Sequence, residues 1–224
     1  MLNYSIKAVA FDMDGLMFNT EDLYDEVGEI LLGRRGQSFA RELKLAMMGL
    51  PGPQAFEIMK QRCGLNETIA QLQSECDEIF SEILPSRIQT MPGLESLLNF
   101  LENRNIPKCV ATSSHRQFAT RALGVFNLQP RFEFVLTADD VTNGKPHPEV
   151  YLSAASRFNV APKSMLVLED SFTGSTAATA AGAYTIAVPT KHSLEMDFSH
   201  VDHVASGLDD EVIFGLFTET ESTL

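Results

Sequence analysis

After residue 93, short apolar runs alternate with segments whose apolar residues recur at helical spacing. The predicted strands of this half cover residues 108–112, 132–137, 165–168 and 184–188, with a last short strand at 204–205. Predicted helices lie at 94–102, 116–125, 148–158, 173–181 and 209–217. Strands that alternate with helices of this length are typical of a parallel sheet covered on both faces. The sequence therefore predicts an α/β fold with a doubly wound, Rossmann-like parallel sheet.

The first predicted strand, Ile6 to Phe11, is separated from this half by a helical block. Helical spacing occurs at 20–32, 39–48, 54–63 and 68–84, and no strand pattern is found between about residues 18 and 87. We therefore expect residues 1–17 and 88–224 to form the Rossmann-like core. Residues 18–87 would form an inserted, all-helical cap domain.

Composition excludes several classes of function. A formal net charge of −13 argues against a general nucleic-acid surface, which requires a basic patch. No apolar run is long enough to span a bilayer, and the first five residues do not resemble a secretory signal. The 3 cysteines have no disulfide or zinc spacing, which favours a reducing, cytoplasmic setting. We expect a cytoplasmic monomer without nucleic-acid or membrane partners.

Two carboxylates follow the first predicted strand, in the segment Asp12-Met13-Asp14-Gly15. Side chains two residues apart in a strand project to the same side, so Asp12 and Asp14 can converge. Close carboxylates repel each other and are stabilised by a shared divalent cation. For an isolated segment of this kind, a polar strand end entering a turn is the more common explanation. An EF-hand loop fits less well, because Gly15 comes too early after Asp12.

Polar residues also follow the later predicted strands, in the segments Thr112-Ser113-Ser114, Gly144-Lys145-Pro146 and Glu169-Asp170-Ser171. The carboxyl ends of parallel strands line one edge of a sheet, where ligands bind. Taken alone, Thr112 fits a helix N-cap equally well, Lys145 a solvated loop lysine, and the Glu169-Asp170 pair a helix start. Four such coincidences at successive strand ends favour a metal and phosphate site.

In order and spacing, these four segments resemble the motifs of the haloacid dehalogenase superfamily of phosphohydrolases. The segments Gly-Lys-Pro-x-Pro at 144–148 and Val-Leu-Glu-Asp-Ser at 167–171 are similar to its beta-phosphoglucomutase-like branch. The resemblance covers the whole chain, including a helical cap between the first and second motifs. One departure is Asn19, where this branch usually has aspartate in the linker into the cap.

The resemblance implies phosphoryl transfer through an aspartyl-phosphate. Asp12 would be the nucleophile, and Asp14 would act as general acid and then as general base. Lys145 and the Thr112 hydroxyl would hold the phosphoryl oxygens. Further donors in the phosphate site would be Ser113 and the backbone N–H groups of Met13 and Asp14.

The resemblance also implies a Mg²⁺ cofactor. Asp12, Asp170 and the backbone carbonyl of Asp14 would hold the ion, with water completing an octahedron. Glu169 would assist as an indirect or water-mediated ligand.

A non-enzymatic alternative is a signalling receiver domain, which also places acidic residues, a hydroxyl and Lys-Pro at one sheet edge. In receivers the acidic pair only holds the metal, and the phosphorylated aspartate follows a later strand. No aspartate stands alone in that way here, and receivers lack a helical insert like the one predicted at 18–87.

A second alternative is a sugar phosphomutase, whose cap must hold a distal phosphate. The mutases that this chain resembles use a cap-loop arginine and a later cap lysine, whereas residues 48–54 contain no arginine and 74–82 no lysine. A histidine of those mutases is replaced by Tyr24. Possible cap cations remain at Arg34, Arg35, Lys60 and Arg62. We therefore predict a phosphatase for a small phosphorylated metabolite, either a sugar phosphate or a nucleotide-like phosphate.

Overall fold

The computed structural model describes residues 5–47 and 52–217 of the 224-residue chain. The chain divides into two compact units, one formed by Met1–Asn19 with Gln89–Leu224 and the other by Thr20–Ile88. All strands of the described residues belong to the first unit. The described part of the second unit is helical, with turns between its helices. The predicted fold class, a parallel α/β sheet with a helical insertion after the first strand, is confirmed.

The sheet of the first unit has six parallel strands in the order β3-β2-β1-β4-β5-β6. The strands are β1 Ala8–Phe11, β2 Lys108–Ala111, β3 Phe134–Leu136, β4 Met165–Glu169, β5 Tyr184–Ala187 and β6 His203–Val204. Every residue of β1, β2 and β4 is buried, as expected for parallel strands covered on both faces. The strand order reverses between β1 and β4, and such a switch point is where doubly wound sheets bind ligands.

Strand register brings the ends of β1, β2 and β4 level with one another. Phe11 lies opposite Val110 of β2 and Leu168 of β4. The backbone N–H of Asp12 donates to the carbonyl of Leu168 at 3.0 Å. The residues that directly follow these strands therefore meet at one edge of the sheet.

Nine α-helices occur in the described residues. They are α1 Thr20–Gly33, α2 Arg41–Met47, α3 Gly52–Cys63, α4 Ile69–Arg87, α5 Leu94–Asn103, α6 Arg116–Val125, α7 Glu149–Phe158, α8 Phe172–Ala180 and α9 Glu211–Gly215. Helices α7 and α8 pack against β1, β2 and β4 through a core of small residues around Tyr151. No helix of residues 5–47 and 52–217 combines the length and apolar character that crossing a membrane requires.

The second unit differs from the prediction at the end of α4, which was expected at Leu84, before Pro85. The helix instead continues to Arg87 with Pro85 in its last turn. Proline removes only its own N–H from the helix, and the N–H of Ile88 still donates to the Leu84 carbonyl at 3.0 Å. A proline so close to the C-terminus of a helix therefore does not end it.

Candidate active site

Three buried carboxylates of the first unit lie at the carboxyl ends of β1 and β4. Each of Asp12, Glu169 and Asp170 has one carboxylate oxygen that lies within 4.8 Å of such an oxygen of the other two residues. Oxygen ligands at this spacing suit a hard divalent cation. The sequence analysis assigned these three residues to a metal site, and the structure brings them together.

Two glycines have no side chain at positions where a Cβ atom would collide with these carboxylates. At Gly15, which has a φ of +79°, a Cβ atom would lie 2.1 Å from Oδ2 of Asp170. At Gly174 in α8, a Cβ would lie 1.8 Å from Oε1 of Glu169. Both distances are far below any van der Waals contact, so a side chain at either glycine would displace a carboxylate of the acidic cluster.

Lys145 lies inside this cluster. Its Nζ donates to Oδ1 of Asp12 at 2.5 Å, to Oε1 of Glu169 at 2.7 Å and to the carbonyl of Ala111 at 2.9 Å. Its side chain is only 5% exposed, which rules out a solvated loop lysine. An ammonium group has three N–H donors, and these contacts account for all three.

Glu169 has its carboxylate surrounded by donors. Oε1 accepts from Lys145 and from the hydroxyl of Tyr151, at 2.7 and 2.6 Å. Oε2 accepts from the Ser171 hydroxyl at 3.1 Å. Because both oxygens already accept hydrogen bonds, this geometry suits an indirect role at a metal better than direct ligation.

Asp14 is held by two hydroxyls that follow β2. Its Oδ2 accepts from Thr112 at 3.0 Å and from Ser114 at 2.7 Å. The N-cap of α6 is His115, so Thr112 is not a helix cap. Ser113, which the sequence analysis placed in the phosphate site, has an exposed side chain.

Burial and charge together determine the protonation of this cluster. Burial raises the pKa of Asp12 well above its usual value; Lys145 opposes this effect, and the carboxylates of Glu169 and Asp14 add to it. Burial lowers the pKa of Lys145, but the carboxylates of Asp12 and Glu169 outweigh burial and raise it well above normal. The lysine is therefore charged. Ionised Asp12 would gain from a further positive charge, which a divalent cation among the carboxylates would supply.

Sequence reasoning missed three residues of this site. Ser114 lay in a quoted motif, but its hydroxyl was not assigned a contact with Asp14. Tyr151 looked like an ordinary core residue of a predicted helix, and Gly174 like a small residue in an alanine-rich one. For Tyr151 and Gly174 the available signal was a hydroxyl, or a glycine, at a helix position that a purely structural helix would fill with an apolar side chain. For Ser114 it was a second hydroxyl in the motif that begins at Thr112.

Comparison with known proteins identifies the family. The family described as haloacid dehalogenase-like hydrolase matches residues 9–188, a range that includes all four strand-end segments described above. The chain belongs to the haloacid dehalogenase-like hydrolases. The matched range contains the acidic cluster, Lys145 and Thr112, whose roles in the site stay predictions.

Two curated relatives are phosphatases. This hydrolase is 35% identical over 206 residues to (DL)-glycerol-3-phosphatase 2 of Arabidopsis thaliana, covering 88% of this chain and 84% of that protein. It is 30% identical over 177 residues to a phosphorylated carbohydrates phosphatase of Thermotoga maritima, covering 79% of this chain and 82% of that protein. This hydrolase is accordingly a phosphatase, that is, a phosphoric monoester hydrolase.

A solved structure shares the fold over nearly the whole chain. It is the crystal structure of a protein named "putative beta-phosphoglucomutase" from Thermotoga maritima, with a TM-score of 0.82 and 26% identity. The match covers 95% of this chain and 100% of that one. The helical insertion between β1 and β2 is therefore the cap of this family, and beta-phosphoglucomutase-like proteins are among its structural neighbours.

Proposed function

We propose that this hydrolase cleaves a small phosphomonoester, such as a sugar phosphate, through an aspartyl-phosphate formed on Asp12. The observation that carries the proposal is the buried Asp12 carboxylate, which lies beside both Lys145 and Asp170 at the switch point of the sheet. A carboxylate that attacks a phosphate dianion faces like charges, so catalysis depends mainly on positioning and on neutralising charge.

Each neighbouring side chain has a part in this scheme. Asp12 would attack phosphorus and form the acyl phosphate, while Asp14 gives a proton to the leaving alkoxide. Asp14 would then take a proton from the water that cleaves the intermediate. When substrate binds, Lys145 and the hydroxyl of Thr112 would each redirect one donor from Asp12 and Asp14, respectively, to a phosphoryl oxygen. The N–H groups of Met13 and Asp14 would bind phosphoryl oxygens as well. We add Ser114 to this phosphate site, because its hydroxyl, like the hydroxyl of Thr112, donates a hydrogen bond to Oδ2 of Asp14.

Mg²⁺ is the cofactor that this donor set favours. Its ligands would be Asp12, Asp170 and the backbone carbonyl of Asp14, with Glu169 acting through Lys145 or water. The ion would neutralise charge on the phosphoryl group when bound. The space that Gly15 leaves for Asp170 supports this assignment, as does the pKa of Asp12, which burial and the nearby carboxylates raise well above its usual value despite Lys145.

Removal of metal is expected to abolish activity. Treatment with EDTA should stop phosphate release and excess Mg²⁺ should restore it, because the ligands are all hard oxygens. Asp170→Asn should raise the Mg²⁺ concentration needed for half-maximal rate by about 10-fold or more. The measurement is phosphate release against Mg²⁺ concentration. An unchanged rate after chelation, or full activity with Zn²⁺ and none with Mg²⁺, contradicts the metal assignment.

The second candidate is a phosphomutase, which the beta-phosphoglucomutase-like neighbour favours. The described cap residues argue against it. Arg35 forms ion pairs with Glu67 and Glu75 at 2.7 and 2.6 Å, and Arg34 pairs with Glu75 at 2.9 Å. Arg34 and Arg35, two of the four possible cap cations named from the sequence, are therefore neutralised by acidic residues of the cap. A third, Arg62, donates a hydrogen bond to a backbone carbonyl.

The arginine-free cap loop, residues 48–54, lies mostly outside the described residues, so that argument stays a sequence prediction. Tyr24, which replaces a histidine of the mutases, packs against Phe80 with ring centroids 4.9 Å apart. An aromatic pair is not suited to binding a second phosphate dianion. These observations support hydrolysis over phosphoryl transfer between two sugar positions.

A panel of phosphomonoesters distinguishes the two activities. Glycerol 3-phosphate, hexose phosphates and nucleoside monophosphates would be tested for phosphate release, beside a coupled assay for conversion of beta-glucose 1-phosphate to glucose 6-phosphate. We expect steady release from at least one ester and no comparable isomerisation. Fast isomerisation with negligible phosphate release overturns the phosphatase and the cap argument with it. One phosphate retained per chain, without turnover, would indicate a receiver.

The cellular setting is also part of the proposal. Cys63, Cys76 and Cys109 are free thiols, which supports a reducing compartment and hence the cytoplasm. The acidic net charge supports the absence of nucleic-acid partners. A monomeric state remains a prediction of the sequence analysis.

A further inference from the structure

Tyr151 is a fully buried side chain whose hydroxyl reaches the active site. It lies on α7, has 0% exposure and packs against the small residues of β1 and β2. Its hydroxyl donates to Oε1 of Glu169 at 2.6 Å. A buried position with no function beyond filling space would be served by phenylalanine, which needs no hydrogen-bond partner.

The tyrosine contacts two members of the acidic cluster at once. Besides the hydrogen bond to Glu169, its ring lies 5.0 Å from Nζ of Lys145, within the range of a cation–π interaction. Glu169 and Lys145 also bond to each other. The three side chains therefore form a closed set of contacts, with Asp12 attached through the lysine.

The orientation of Glu169 depends on this set. Its Oε1 is shared between Lys145 and Tyr151, and its Oε2 faces Ser171. If the hydroxyl of Tyr151 were absent, a buried carboxylate with 0% exposure would lose one of its donors and would find no water to replace it. Rotation of that carboxylate would then remove one of the three acceptors of the lysine.

We propose that Tyr151 is a positioning residue, which orients the Glu169 carboxylate and through it holds the Lys145 ammonium against Asp12. This inference rests on the proposed function of Asp12 and Lys145. It assigns no chemical step to the tyrosine, because its hydroxyl donates to Glu169, which is not itself a proposed reacting group. The consequence is that a core position of α7 contributes to turnover and to metal affinity.

Tyr151→Phe tests the proposal, since it removes the hydroxyl and keeps the ring. We expect kcat to fall about 10-fold and the Kd for Mn²⁺, measured by EPR without substrate, to rise about 10-fold. KM should change less than about threefold, because the tyrosine does not contact substrate. The steady-state assay uses the best ester of the panel.

Tyr184→Phe is the matched control. Tyr184 begins β5, opposite Leu166 near the start of β4, so it lies toward the amino ends of the strands, away from the acidic cluster. The same loss of a hydroxyl there should leave kcat and Mn²⁺ affinity within about twofold of wild type. If Tyr151→Phe behaves in the same way, even with reduced stability in urea unfolding, Tyr151 is only a core residue and the proposal is wrong.

A double-mutant cycle with Glu169→Gln tests the path of the effect. If the tyrosine acts through Glu169, adding Tyr151→Phe to Glu169→Gln should cost much less than it costs in wild type. Additive effects contradict that path. The Mn²⁺ measurement needs no substrate, so it decides the role of Tyr151 even if the panel shows no phosphatase activity and the proposed function fails.

Discussion

Replacing Asp12 by asparagine is expected to lower kcat by about 10⁴-fold or more while leaving the protein folded. The amide is nearly isosteric with the carboxylate but cannot form an acyl phosphate. Its oxygen can still accept from Lys145, which also keeps its bonds to Glu169 and to the carbonyl of Ala111. The substitution removes one of several carboxylates that repel one another, and it leaves the lysine paired with Glu169. We therefore expect the free energy of unfolding to change little.

Phosphate release and urea unfolding of the purified variant measure the two halves of this prediction. Glu133→Gln, the same kind of chemical change at an exposed position just before β3, serves as the control and should retain full activity. Asp14→Asn adds a second comparison. After an acid quench it should retain phosphate on the protein, because hydrolysis of the intermediate is slowed, whereas Asp12→Asn should retain none. Substantial turnover by Asp12→Asn would remove Asp12 from its role as nucleophile.

Gly15→Ala is expected to reduce kcat by about 100-fold or more, since displacing a catalytic group by about 1 Å has effects of that size. The new Cβ would lie 2.1 Å from Oδ2 and 2.8 Å from Cγ of Asp170, so the carboxylate must move. Mn²⁺ affinity should fall as well, because Asp170 is a proposed ligand. The left-handed backbone of Gly15 adds a stability loss of about 1–2 kcal/mol.

Gly182→Ala separates the collision from the backbone cost. Gly182 has a φ of +77°, close to the +79° of Gly15, but among the described residues, its own chain neighbours aside, no atom lies within 4 Å of a Cβ placed there. It should therefore lose similar stability and keep its kcat and its affinity for Mn²⁺. The clash with Asp170 would be refuted if both alanine variants lost stability equally and both remained fully active.

The sheet and the main residues of the site were predictable because parallel strands place their carboxyl ends at one edge. Once apolar runs were recognised as strands, the residues after them had to approach one another, whatever the details of packing. Asp12, Thr112 and the Glu169-Asp170 pair were found in this way. Lys145 lies farther from its strand; the strand-end argument placed it at the same edge, and its role in holding the phosphoryl group came from the resemblance to a family motif.

Pairwise contacts were not predictable, because they depend on which atoms meet across the sheet. The sequence placed Thr112 equally well at a helix N-cap, and only the structure shows its hydroxyl on Asp14. Ser114 and Tyr151 carry hydroxyls that sequence periodicity treats as incidental. The end of α4 was expected at Leu84 because the helical spacing stops there, whereas backbone hydrogen bonds continue the last turn to Arg87.

The sequence by itself determined the fold class, the helical insertion and the residues at the strand ends, because apolar periodicity and strand-end chemistry are local properties of the chain. Tertiary structure alone decided that Lys145 is buried among carboxylates, that Glu169 has both oxygens engaged and that Gly15 and Gly174 make room for the acidic cluster. Two of these features depend on distances between segments more than 100 residues apart, namely Asp12 beside Lys145 and Gly15 beside Asp170. No local pattern encodes such a distance, since it is set by strand register and by the packing of α7 and α8 on the sheet.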